Sequence, residues 1–261
     1  MDQLYAAYRC LFARARFAKA NRLLLNLALR GLGVLNYKNA AASGEAYFLR
    51  GHLARIPSPV VVDVGANEGS YCRSVLAIAP NARVIAFEPH PKSYERLKAL
   101  LETHRNVSLH NVACSDVSGR LELFDYSAHD GSSHASTYPE VFERLHQARS
   151  VSHTVPARTL DEILEAEGVR QIRLLKIDAE GHEMRVLRGA ERYLRNGSID
   201  CIQLEFNEMN VFSRVFFKDI YDFLPNYKLY RLLPRGMLAI GAYDPLHCEL
   251  FAYQNIVALR N

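Results

Sequence analysis

The chain has 261 residues, 49% of them hydrophobic, and carries 32 Lys and Arg against 28 Asp and Glu for a formal charge of +4. That length suits one α/β domain with an extension rather than two complete domains, and so mild a charge gives no support to nucleic acid as a partner. The five cysteines, Cys10, Cys72, Cys114, Cys201 and Cys248, form no C-x-x-C pair, which speaks against a zinc site or a disulfide framework and fits a reducing, cytoplasmic compartment.

The first thirty residues set Arg9, Arg14, Arg16, Lys19, Arg22 and Arg30 against the single acid Asp2, interleaved with Leu4, Tyr8, Leu11, Phe12 and Leu23 at helical spacing. This predicts a basic amphipathic helical extension over residues 1–44. Its expected role is to cap the main domain of residues 45–261; peripheral contact with a membrane or a protein partner is the alternative. The run from Leu23 is too short to span a bilayer and is interrupted by Asn26 and Arg30, so no transmembrane segment is expected. No small-residue cleavage pattern follows it, which disfavours a signal peptide.

Beyond "PSP" at 57–59 a strand and helix rhythm begins. "VVVDV" (60–64) predicts a strand, "SYCRSVLAIA" (70–79) a helix, "RVIAFE" (83–88) a strand, "KSYERLKALLETH" (92–104) a helix and "VSLHNVA" (107–113) a third strand. "GRLELFDY" (119–126) reads as an extra strand, followed by a polar loop carrying His129 and His134, for which solvent exposure is the ordinary expectation. "RLLKID" (173–178) is the fourth core strand, "EMRVLRGAERYLRN" (183–196) a helix and "IDCIQLEF" (199–206) the fifth strand. "YKLYRLL" (227–233) and "FAYQNIVALR" (251–260), joined by a long connection, supply two more. The fold class expected is α/β, a doubly wound, mostly parallel seven-stranded sheet.

Ligands of such sheets sit at the carboxyl ends of the strands, so the loop leaving the first strand, "DVGANEGSY" (63–71), is the place to look. Gly65 permits a tight turn, Gly69 lets the next helix begin close by, and Asn67 offers donors and acceptors. Glu88 ends the second strand nineteen residues after Gly69, where an acid hydrogen-bonds ribose hydroxyls in dinucleotide folds. The spacing is not G-x-G-x-x-G, and Asp63 would repel a pyrophosphate. S-adenosylmethionine, with an ammonium, a sulfonium and no phosphate, suits an acidic loop better than NAD does.

"VVVDVGANEGSY", "VIAFEPHPKSYERL", "LHNVACSD", "TLDEIL" and "LLKIDAEGHEMRVLRGA" together resemble the successive motifs of the FkbM-type methyltransferases over residues 58–207. The resemblance implies a Rossmann-like class I fold, S-adenosylmethionine as cofactor, and O-methylation of a sugar, glycoconjugate or small natural product. It places Asp63, Gly65, Asn67 and Gly69 around the methionine and ribose, Glu88 on the ribose hydroxyls, and Ser115 and Asp116 at the adenine end.

"RLLKIDAEGHEM" (173–184) then crowds Asp178, Glu180, His182 and Glu183 around Gly181. Asp178 should share the crevice of the Asp63 loop and hold the cofactor's ammonium or orient the acceptor hydroxyl. Glu180 and Glu183 suit the positive end of a helix. His182 and Glu205 are candidate general bases, and Asp178, Glu205 and Asn207 would hold a divalent cation if the reaction uses one. Methylation of an amine is disfavoured, because "DAEG" stands where base-modifying enzymes carry Asn/Asp-Pro-Pro-aromatic. A binding module without activity is a further alternative, set against the intact Asp63, Gly65, Gly69, Glu88 and Asp178.

Overall fold

The structure, a computed structural model, describes residues 1–127, 131–132, 135–141 and 149–261; His129 and His134 lie outside the described residues. Helices α1 (Asp2–Phe12), α2 (Ala18–Gly31), α3 (Ala40–Ser43) and α4 (Glu45–Leu53) come first. The alternating part follows: β1 (Val60–Val64), α5 (Ser70–Ile78), β2 (Arg83–Phe87), α6 (Pro91–Leu101), β3 (Val107–His110), β4 (Ala113–Cys114), β5 (Gly119–Tyr126), β6 (Ser150–Arg158) and α7 (Leu160–Ala166). Then come β7 (Leu174–Ile177), α8 (Glu183–Gly189), α9 (Glu191–Arg195), β8 (Cys201–Phe206), α10 (Met209–Ser213) and α11 (Phe217–Phe223). The chain closes with β9 (Tyr227–Leu233), β10 (Gly236–Ala239), α12 (Pro245–Cys248) and β11 (Gln254–Arg260).

The main sheet runs β10-β9-β11-β8-β7-β1-β2-β3. Its core pairs, β1 with β2 and β7, β2 with β3 and β7 with β8, are parallel, and β11 is antiparallel to both β8 and β9 between which it is inserted. This is the class I methyltransferase order with one strand more than the seven expected. The eighth, β10, is a short antiparallel return on β9 after Pro234 and Arg235, four residues that lie inside what reads in sequence as a connection. A second sheet, β4-β6-β5, stands beside the first. Its middle strand β6 is not apparent in the sequence: it carries Pro156, and only two of its nine side chains, Val155 and Ala157, are buried.

Both faces of the main sheet are covered. Val62, Val64, Ile85 and Phe87 point to one core with Leu160, Leu164, Met184 and Leu187, while Val61, Val84 and Ala86 point to the other with Phe48, Leu49, Cys72 and Leu97. Each fully buried aliphatic side chain stabilises the fold by ~1.5–3 kcal/mol. Because side chains alternate along a strand, Asp63 lies on the same face as Val61. In register it sits beside Lys176, which sits beside Gln203, so a row of polar residues crosses the sheet toward α4 and α5.

Within the extension, Val34 and Ser43 are buried on the domain, but helices α1 and α2 do not cap it. No residue of α1 or α2 is buried; the chain first enters the core at Val34, which bridges to Gln254, while the Leu35 N–H donates to Tyr253 O at 2.8 Å. Among the described residues no helix is long and apolar enough to cross a membrane.

Candidate active site

The carboxyl ends of β1 and β7 meet in direct backbone contact. Gly65 has φ +79°, and a Cβ on it would stand 1.8 Å from the Asp178 carbonyl oxygen, while the Asp178 N–H donates to Val64 O at 2.9 Å. Only glycine allows that approach. Two cavities open on either side of this contact, and Gly65 and Asp178 line both.

The first is a cleft of about 780 Å³ counted to its open mouth, a size ordinary for a small-molecule site. Phe87, Pro89, Val112, Cys114, Leu121 and Leu123 form an apolar slot, with Asn67, Glu88, Glu180 and His182 around it. No Lys or Arg lines it among the described residues. Leu121 and Leu123 come from β5, so the extra strand supplies the outer wall.

Glu88 is held rigidly. Its Oε2 accepts from the Asn67 N–H and its Oε1 from the His90 N–H, both at 2.8 Å, leaving each oxygen capacity for one further donor. Asn67 adopts φ +47° to make this turn, and its own Oδ1 is buried with no hydrogen-bond partner. Burial pushes the Glu88 carboxyl up to about 7 against the opposing pull of its two amide bonds.

The second cavity, about 980 Å³ on the same measure, lies on the α4 and α5 side and is charged. Lys176, 3% exposed, donates to Asp178 Oδ2 at 3.0 Å. Burial opposes its charge, but Asp178, Glu205, Glu45 and Asp63 outweigh that cost and hold it protonated. Four acids thus face one lysine. Burial raises Asp63 to about 6 although Cys72 Sγ donates to it at 3.0 Å; Glu205 rises well above the carboxylate range through burial and then the Asp178 charge. Gln203 donates to Glu45 Oε1 at 2.7 Å and to Asn255 Oδ1 at 2.9 Å, and accepts from Tyr71 Oη at 2.8 Å.

The structure brings Gly65, Asn67, Glu88, Asp178 and His182 to the cleft, and Asp63, Gly65, Asp178 and Glu205 to the charged cavity. Gly69 touches neither; it caps α5 at φ +86°, with Leu97 2.8 Å from where its Cβ would be. Ser115 and Asp116 do not line the cleft: Ser115 Oγ bonds His182 Nε2 at 2.9 Å and Asp116 pairs with Arg185 at 3.4 Å, and residues 112–114 form the wall in their place. Asn207 lines neither cavity, and its Oδ1 accepts from the Met209 N–H at 2.9 Å. Among the described residues no group of three or more His, Cys, Asp or Glu is placed to hold a metal ion.

The crowded turn resolves into different roles. Glu183 stands in the first turn of α8 as expected and is buried there: its Oε1 accepts from the Ala179 and Gly181 N–H groups at 3.0 and 3.1 Å, tying the turn together, and burial raises it to about 7. His182 is also buried. Burial, and then Arg185, lower it to about 4, so it is neutral at physiological pH, with Ser115 at one ring nitrogen and Thr137 at the other at 3.3 Å. With both ring nitrogens engaged, neither is left aimed at an acceptor hydroxyl. Glu45, Tyr71, Lys176 and Gln203 were missed by sequence reasoning. The signal available was polar residues inside otherwise apolar strands, "LLKI" and "CIQLEF".

The family model of the methyltransferase FkbM domain matches residues 63–232. The chain is 28% identical over 190 residues to the 2-O-methyltransferase NoeI of Sinorhizobium fredii, covering 69% of this chain and 77% of that protein. It is 30% identical over 167 residues to the 31-O-demethyl-FK506 methyltransferase FkbM of Streptomyces tacrolimicus, covering 55% and 64%. With the hexuronic acid methyltransferase AglP of Haloferax volcanii the identity is 27% over 148 residues, covering 56% and 55%.

Proposed function

The chain belongs to the FkbM methyltransferase family, whose members use S-adenosylmethionine, and from that premise we propose that it methylates a hydroxyl group of a sugar, glycoconjugate or small natural product. The observation that carries the cofactor reading is the cleft itself, an apolar slot ending in a fixed carboxylate with no Lys or Arg among its described lining residues. That donor set fits a nucleoside without phosphates. Glu88 is assigned the two ribose hydroxyls through the free capacity of its oxygens, the slot between Phe87 and Leu123 the adenine, and Asn67 Oδ1 and the acids near Gly65 the positively charged methionine end. Asp63 reaches that end only from the far cavity, as part of the negative surplus around Lys176.

The cofactor supplies an electrophilic methyl group. The protein's task is alignment: an in-line displacement needs the acceptor oxygen held opposite the leaving sulfur, and such positioning accounts for much of the rate. Asp178 is the residue for it, lying where the cavities meet with its side chain about one-third exposed and its orientation fixed by Lys176. It orients the hydroxyl and takes its proton as the oxygen attacks; Glu205, which lines the charged cavity with Asp178, is the alternative acceptor in its ionised form, a form that its burial disfavours. The O-methyl activities in the names of the NoeI and FkbM relatives, and the hexuronic acid in that of AglP, support the acceptor class. The test is a panel of hydroxylated sugars incubated with labelled S-adenosylmethionine, with and without chelator. O-methylated product is expected in both arms. Transfer confined to amines would overturn the assignment, and loss with chelator would put a metal back into it.

A further inference from the structure

Helices α1 and α2 combine two features that a helix packed on its own domain does not show. Their apolar stripes are solvent-exposed, Leu4, Tyr8 and Leu11 on α1 and Leu23, Leu24 and Leu27 on α2, each more than 40% exposed. Basic residues flank them: Arg9, Arg14, Arg16, Lys19, Arg22 and Arg30 stand against Asp2 alone. On α2 the 100° step per residue puts Lys19, Arg22, Asn26 and Arg30 on the arc adjoining the leucine stripe. The two helices are held to each other, with Tyr8 Oη donating to Asn21 Oδ1 at 2.7 Å and the Phe12 and Phe17 rings 5.3 Å apart. They join the domain at Val34 and Leu35.

We infer that this helix pair docks the enzyme on an anionic lipid surface, lying in the plane of the interface. The fourteen residues of α2 span about 21 Å, short of the roughly 30 Å hydrocarbon core, so it lies on a bilayer and does not cross it. Leucines enter the acyl boundary while the long Lys and Arg side chains reach back to phosphate level, and the tyrosine of the α1 stripe sits where amphipathic rings collect. A second copy of the chain is the poorer occupant, because pairing two such stripes would bring the flanking arginines and lysines of both together. Anionic headgroups neutralise them instead.

The experiment is co-sedimentation of the full chain with vesicles of phosphatidylcholine alone or enriched in phosphatidylglycerol, beside sedimentation velocity without lipid. Binding to the anionic vesicles at least tenfold tighter than to neutral ones is expected, weakened by salt. The double variants Leu24→Glu with Leu27→Glu, and Lys19→Glu with Arg22→Glu, should each lower it tenfold or more while circular dichroism and methyl transfer to a soluble acceptor stay unchanged. Equal binding to both vesicle types would overturn the charge argument. Absence of vesicle binding overturns the inference: with dimerisation that the leucine variant abolishes, the occupant is a second copy, and with a monomer throughout, it is another protein.

Discussion

The two cavities that share the Gly65 and Asp178 contact recognise by opposite means. The cleft toward β5 is apolar with one carboxylate held by two backbone amides; the cavity toward α4 is charged, with Lys176 among four acids. In the first, shape and two hydrogen bonds select the ligand, and little charge has to be balanced. In the second, every group depends on its neighbours, so removing one changes the protonation of the rest. Substitutions should therefore act locally on one side of the contact and collectively on the other.

The largest effect is expected on the charged side. Lys176→Met leaves the acids without their cation and should lower unfolding free energy by about 3 kcal/mol, at the low end for a broken buried pair because Asp178 keeps part of its side chain in water. Urea denaturation measures this; a loss below 1 kcal/mol would mean that the row is not a coupled unit. Next, Asp178→Ala should reduce turnover about 100-fold with a smaller change in cofactor affinity. Equal loss of both would make Asp178 a cofactor ligand only.

On the apolar side, Glu88→Ala should weaken S-adenosylmethionine binding by roughly 10–100-fold, read by calorimetry, with folding little affected. The pH dependence has a definite sign. Hydroxyl donors favour the ionised carboxylate, so affinity should rise as pH passes upward through about 7. The stability of the ligand-free protein should move the other way: Glu88 and Glu183 at about 7 and Asp63 at about 6 bind protons more tightly folded than unfolded. Their contribution is full below the ordinary carboxylate range and lost as pH rises through 6 to 7. The smallest effect is assigned to His182→Gln, less than about tenfold in turnover, with no inflection in the wild-type rate traceable to a histidine near pH 6.5. A larger loss would restore His182 as the base.

Much of this architecture is visible in the amino-acid order. Buried parallel strands advertise themselves as β-branched runs, so β1, β2, β7 and β8 and the loop from Asp63 to Gly69 lie where expected, as does Glu88 at a strand end. What escapes is whatever depends on a partner far away in sequence. Strand β6 lacks the continuous apolar run of the central strands because one of its faces is open to water. The positions after β3 look alike in sequence, yet the chain path puts Ser115 behind His182 and Cys114 in the cleft wall. Lys176 and Gln203 sit in apolar strands and acquire meaning only once register sets Lys176 beside Asp63 and Gln203 beside Lys176, and Glu183 reads as a helix-start acid whose bonds to the turn's own amides appear only in the fold.

The insertion of β11 between β8 and β9 has a temporal consequence. Among the described residues, 254–260 form the only ladder joining the β9 and β10 hairpin to the rest of the main sheet. During synthesis the first half of the sheet can assemble as it emerges. The hairpin must wait beside it, one edge exposed, until the closing segment has left the ribosome.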